Sequence, residues 1–122
     1  MPYQREIVLV DDDDLVRRVL QDILEAFGYR CFAFENAAGA LALLTTRWVD
    51  LVVTDLVMPE MDGVSFALVV KERYPQLPIL AITGSSNGLA VPPGLFRRVW
   101  QKPISPIVLL KQAVEECLAR SP

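Results

Sequence analysis

The chain has 122 residues, 52% of them apolar and 22% charged, a length that buries roughly two thirds of its unfolded surface in one core and a composition too apolar for a disordered segment. Its net charge is −3, but the four aspartates at 11–14 carry −4, so the remainder sums to +1; the acidity is local, and no general basic patch supports direct nucleic-acid binding. No apolar run nears the roughly 20 residues of a membrane span, and the acid-rich N-terminal stretch is unlike a signal peptide, which predicts a cytoplasmic protein without membrane contact.

Residues 7–10, Ile-Val-Leu-Val, read as the first strand, with acid directly behind them. Leu15, Val16, Val19, Leu20, Ile23, Leu24 and Phe27 then recur at helical spacing, and Gly28 is the stop signal. Asp13 and Asp14 fall in the first turn of this helix, where carboxylates favour the macrodipole. A strand at 30–34 and a helix at about 37–45 follow, with Asn36 as its N-cap. Residues 51–54 form a third strand that runs straight into Asp55. Asp62 and Gly63 open a helix over 63–74, closed by Pro75.

The fourth strand, 79–83, ends in the loop sequence Thr-Gly-Ser-Ser-Asn-Gly. The stretch 88–94 contains Val-Pro-Pro-Gly, so the fourth helix is short or irregular. Residues 97–101 make a short fifth strand, and Ser105 with Pro106 supplies an N-cap and first-turn pair ahead of Ile107, Leu110, Val114, Cys117 and Leu118 on one helical face. Cys31 and Cys117 lack metal-like spacing, the chain has no histidine, and both cysteines read as buried small hydrophobes. Trp48 and Trp100 read as packing residues.

Apolar strands that each lead into a helix imply a parallel sheet covered on both faces, here a five-stranded doubly wound α/β domain spanning residues 1–122. In such sheets ligands bind beyond the carboxyl ends of the strands. The first polar residues there are Asp11 and Asp12 after the first strand, Asp55 after the third, Thr83 after the fourth and Lys102 after the fifth. Carboxylates crowded into one cleft repel one another unless a cation shares the site. Hard oxygen donors without histidine or cysteine point to Mg²⁺, while a lysine and a threonine hydroxyl suit phosphate oxygens. The set reads as a phosphoryl site with Asp55 as candidate nucleophile.

The blocks IVLVDDDDLVRRVL, DLVVTDLVMPEMDG, ILAITG and QKPI, in this order and spacing, resemble the four signature blocks of the response-regulator receiver domains of two-component signalling. The resemblance covers nearly the whole chain. It implies a flavodoxin-like strand order of 2-1-3-4-5 and Mg²⁺-dependent transfer of a phosphoryl group to Asp55 from a histidine on a partner kinase or histidine phosphotransfer protein. Phosphorylation would then shift conformation and control a partner or output module. By position, it implies that Asp12 and Asp55 ligate Mg²⁺ directly, Asp11 mostly through water and Val57 through its backbone carbonyl. Thr83 and Lys102 would hold the phosphoryl oxygens, with Pro103 following Lys102 in a cis peptide bond. It also implies that the face built by the fourth helix, fifth strand and last helix is the surface for homodimerisation or for signalling to a partner.

The sequence departs from the family in three places. Receivers usually carry an aromatic residue three positions before the lysine; Val99 stands there, and strand alternation turns the neighbouring Trp100 to the other face. The interval from Thr83 to Lys102 is short and holds Pro92, Pro93 and Gly94, similar to receivers attached to hybrid kinases. The two positions that tune dephosphorylation in the family hold Val57 and Ser85, and Val57 has no polar group to orient a water. Two rival readings compete. A haloacid-dehalogenase-type phosphatase shares the strand-end aspartate, Mg²⁺, hydroxyl and lysine, but wants a second acid where Val57 stands. A phosphorylation-independent receiver-like interaction module fits the missing aromatic and is opposed by the intact acidic set. An EF-hand reading of the aspartate run fails at its sixth position, Val16, where glycine is required.

Overall fold

The computed structural model describes residues 4–58, 60–84 and 91–119. Five strands, β1 (Glu6–Val10), β2 (Arg30–Phe34), β3 (Leu51–Thr54), β4 (Ile79–Thr83) and β5 (Arg98–Gln101), form one parallel sheet in the order β2-β1-β3-β4-β5. The described helices are α1 (Asp14–Ala26), α2 (Ala37–Leu44), α3 (Gly63–Arg73) and α4 (Ile107–Leu118). Because every strand runs the same way, all five carboxyl ends open at one edge of the sheet.

Side chains alternate along each strand, so the sheet sorts its apolar residues into two cores. Val8, Val10, Val52 and Ile79 pack with Ala40 and Leu44 of α2 and with Phe66, Ala67 and Val70 of α3. Ile7, Leu9, Leu51, Val53, Leu80 and Ile82 pack on the opposite face with Leu20 and Leu24 of α1 and with Leu110, Val114 and Cys117 of α4. β3 and β4 are buried along their whole length, as an apolar run with no alternation requires. Val99 lies in register with Ala81 and Trp100 with Ile82, so only Trp100 joins the α1/α4 core, while Val99 is exposed on the other face.

The helix termini follow from local chemistry. Asp13 is the N-cap of α1, its carboxylate accepting from the Leu15 and Val16 N–H groups, with Asp14 in the first turn. The helix ends where Gly28, at φ +100°, lets its N–H reach the Glu25 carbonyl (2.9 Å) and the Tyr29 N–H reach the Leu24 carbonyl (3.2 Å). Asn36 caps α2 through the Gly39 N–H, and Asp62 caps α3 through the Ser65 N–H.

Three expectations need correction or restriction. The C-terminal helix is capped one residue later than its sequence suggests: Pro106 itself is the extended N-cap, its carbonyl accepting from the Leu109 N–H (3.0 Å), and no side chain, Ser105 included, caps the helix. Trp48 is not a packing residue. It sits 59% exposed in the α2–β3 connection, beside Arg47, whose guanidinium is drawn to Glu6. Residues 91–97 form no helix, in keeping with the prolines there, and residues 85–90 of that crossover, Ser85 included, lie outside the described residues.

Both cysteines are buried. Burial pushes the Cys31 thiol up to about 12 and the Cys117 thiol up to about 11, so neither forms thiolate near neutral pH. Native protein at pH 8 is expected to take up no iodoacetamide over a time in which urea-unfolded protein is alkylated at both positions; mass spectrometry of the two samples checks this.

Candidate functional site

The sheet ladder continues one residue past each of three strands, and those residues carry the charges. The Asp11 N–H donates to the Phe34 carbonyl (3.1 Å), the Asp55 N–H to the Val10 carbonyl (3.0 Å) and the Lys102 N–H to the Thr83 carbonyl (2.7 Å). Their side chains therefore emerge side by side at the mouth of the sheet from backbone that is still hydrogen-bonded. Asp11 is 1% and Asp55 9% exposed, Thr83 is buried and Asp12 is exposed.

One oxygen from each of Asp11, Asp12 and Asp55 lies within 4.8 Å of the others. Lys102 Nζ stands 3.4 Å from Asp55 Oδ2 and 3.6 Å from Asp11 Oδ2. The two buried acids divide their oxygens in the same way. Asp11 Oδ1 accepts from the Asp13 N–H (2.9 Å) and Asp55 Oδ1 from the Val57 N–H (3.2 Å), bracing each loop, while both Oδ2 atoms face the ammonium. Burial raises the Asp11 carboxyl above the ordinary aspartate range; the Asp13 N–H and Lys102 pull it back, and the neighbouring Asp55 and Asp12 push it further up. A group in that position gains from any added cation. Three carboxylates with no nitrogen or sulfur donor among them could hold a hard divalent ion such as Mg²⁺.

The structure thus brings Asp11, Asp12, Asp55 and Lys102 together as expected, sets Thr83 at the end of the adjoining strand, and turns the Val57 side chain outward, 57% exposed. The Lys102–Pro103 peptide is cis. Two contributors went unnoticed in the sequence. Arg17, one turn into α1, donates from Nη1 to the Asp11 carbonyl (2.9 Å) and pairs through Nη2 with Asp14 (2.6 Å), tying the acidic loop to the helix. Gly63 was legible as a helix start but not as a spacer: a Cβ there would lie 2.2 Å from the Asp55 carbonyl oxygen and 2.7 Å from Leu56 Cα.

A family model described as the response regulator receiver domain matches residues 7–112. The chain belongs to the response regulator receiver domain family. The receiver is 40% identical over 85 residues to the DNA-binding transcriptional regulator NtrC of Escherichia coli K12, a match covering 69% of this chain and 18% of that protein. It is 42% identical over 80 residues to the response regulator receiver protein CpdR of Brucella abortus, covering 66% of this chain and 67% of that one. Among solved structures, the signal receiver domain of an HD domain-containing protein from Pseudomonas fluorescens aligns with a TM-score of 0.86 at 30% identity, over 97% of this chain and 89% of that one. The response regulator TrrA of Thermotoga maritima, solved in complex with Mg²⁺ and BeF, aligns with a TM-score of 0.85 at 25% identity, over 94% of this chain and all (100%) of that one. Phosphorylation-dependent regulation is the general function of the family, whose members bind Mg²⁺ at an acidic pocket and interact with histidine kinases or phosphotransfer proteins. No described helix of this receiver is long and apolar enough to cross a membrane.

Because the Asp55 carbonyl occupies the space a side chain at 63 would need, Gly63→Ala is expected to destabilise the fold by about 2 kcal/mol and to displace the β3–α3 loop. Urea unfolding measures the first, and amide chemical-shift changes at residues 56–58 and 60–62 measure the second.

Proposed function

We propose that Asp55 accepts a phosphoryl group from a phosphohistidine on a kinase or histidine phosphotransfer protein, and that residues 1–122 act as one receiver unit. The observation that carries this reading is the pair of Asp11 and Asp55 Oδ2 atoms facing one ammonium at the mouth of the sheet. In the transfer an oxygen of Asp55 forms the new O–P bond as the P–N bond to the donor imidazole breaks, and the imidazole leaves with the electron pair. Asp11, Asp12, Asp55 and the Val57 carbonyl would hold Mg²⁺, which when bound supplies charge neutralisation and a contact for a phosphoryl oxygen.

The remaining work falls to side chains. Lys102 already spans Asp11 and Asp55, and it can keep Asp11 as its partner while turning to a phosphoryl oxygen on Asp55. Thr83 supplies a hydroxyl from the neighbouring strand end. Hydrogen bonds to charged groups contribute about 1.5–3 kcal/mol each, so two of them supply much of the roughly 5.5 kcal/mol that moves a two-state population from 1:99 to 99:1. With Val99 in place of an aromatic, that shift runs through Thr83 and Lys102 rather than through a rotating ring.

Acetyl phosphate with Mg²⁺ is expected to label the wild-type protein stoichiometrically and to leave Asp55→Asn unlabelled, by intact-mass spectrometry. An unlabelled wild type would move the phosphorylation-independent interaction module ahead. Val57 exposes only methyl groups to the attacking water, so the acyl phosphate of Val57→Asn is expected to decay about tenfold faster, a difference of about 1.4 kcal/mol in barrier. Equal decay rates for the two proteins would remove Val57 as the cause of a long lifetime.

A further inference from the structure

Beside the carboxylate cluster lies a separate cavity of about 540 Å³, bounded by the first half of α2 on one side and the β3–α3 loop on the other. Its floor is apolar. Met58 is buried, and half-buried Leu41 and Met61 pack on the same core cluster. Its rim is acidic, formed by Asp12, Glu35 and Glu60, all exposed, and no described lysine or arginine lines it. None of these three carboxylates belongs to an ion pair among the described residues.

The volume falls in the range that encloses a small ligand or a few side chains. Uncompensated carboxylates on the rim repel anions, which excludes a phosphate-bearing occupant. Polarisable thioethers on the floor accept aliphatic groups of varied shape, and a long basic side chain offers both parts at once, an apolar stem with a cationic head. Asp12 lines this cavity and also belongs to the carboxylate cluster. A macromolecule seated over Asp55 therefore also covers the mouth of the cavity, whereas a free organic cation has no such reason to be there.

We propose that this cavity receives an arginine or lysine side chain presented by the protein that delivers the phosphoryl group. The identity of that partner rests on the phosphoacceptor reading of Asp55; the cationic, aliphatic character of the occupant rests on the cavity alone. Glu35 and Glu60 stand outside the phosphoryl machinery, so the rim charge can be removed without touching it.

The test has two arms. In the first, the Met58 and Met61 methyl groups, labelled with ¹³C, are followed while acetyl-Leu-Arg-Leu-amide or acetyl-Leu-Glu-Leu-amide is titrated into the whole chain. The arginine peptide is expected to shift both methyl signals saturably and the glutamate peptide to leave them in place, with the Glu35→Gln/Glu60→Gln double variant binding about five- to tenfold more weakly, the sum of two rim charge pairs. In the second arm, transfer to the double variant from a phosphorylated histidine phosphotransfer protein is expected to slow by a similar factor, while labelling by acetyl phosphate is not slowed. Methyl signals that ignore both peptides, respond to both alike, or respond equally in the double variant would overturn the cavity assignment. Unchanged protein-to-protein transfer in the double variant would overturn the phosphodonor as its source. Failure of acetyl phosphate to label the wild type overturns the phosphoacceptor reading, and the partner's identity with it, and is seen independently of the methyl titration.

Discussion

Three carboxylates gather at the carboxyl edge of the sheet with one ammonium set between two of them, and the rest of the structure is arranged around that imbalance. At an effective dielectric constant near 20, two like charges about 4 Å apart repel by roughly 4 kcal/mol. Asp11, Asp12 and Asp55 stand within such reach of one another, and Lys102 opposes two of them. One ammonium against three carboxylates leaves two negative charges unmatched, which is the charge of one divalent ion. Burial displaces the Asp11 carboxyl upward, and the neighbouring Asp55 and Asp12 add a smaller push in the same direction.

A cluster of this kind persists only if its backbone cannot relax apart. Here the constraint is the parallel ladder, which extends one residue beyond β1, β3 and β5 and pins Asp11, Asp55 and Lys102 by N–H groups bonded to neighbouring strands. Two apolar faces, each covered by a pair of described helices, then hold the strands in register. Arg17 draws the Asp11 carbonyl towards α1, and the missing side chain at Gly63 lets α3 begin against the Asp55 carbonyl. Repulsion at the mouth is thus held in place by burial elsewhere. A cation that neutralises part of this charge relieves the repulsion without new packing.

Strand ends were the most legible part of the chain, since β1, β3 and β5 end at Val10, Thr54 and Gln101 as their runs predict, and the residue behind each, Asp11, Asp55 and Lys102, is one that reaches the site. An unbroken apolar run bounded by charge leaves little choice of where a buried strand stops. Trp48 and the Ser105–Pro106 pair were misread for a common reason. Residue type suggests burial or capping, but whether a tryptophan meets the core or a serine hydroxyl faces a free N–H depends on where a connection leads, and connections carry no periodicity. Arg17 was hidden in a run of helix-forming residues; its partner is a carbonyl, which no side-chain pattern reveals.

The amino-acid order alone determined the alternation of strands and helices, the acids and lysine at the strand ends, and the chemistry those groups share. Each of these depends on local hydrophobic period and residue type. Tertiary structure alone decided that Oδ2 of both buried aspartates faces Lys102, that Gly63 is a spacer under Asp55, and that α2 and the β3–α3 loop enclose a cavity with an acidic rim. Those features arise where segments remote in the chain approach within a few ångströms, and their distances are set by how whole elements pack rather than by any residue's neighbours in sequence.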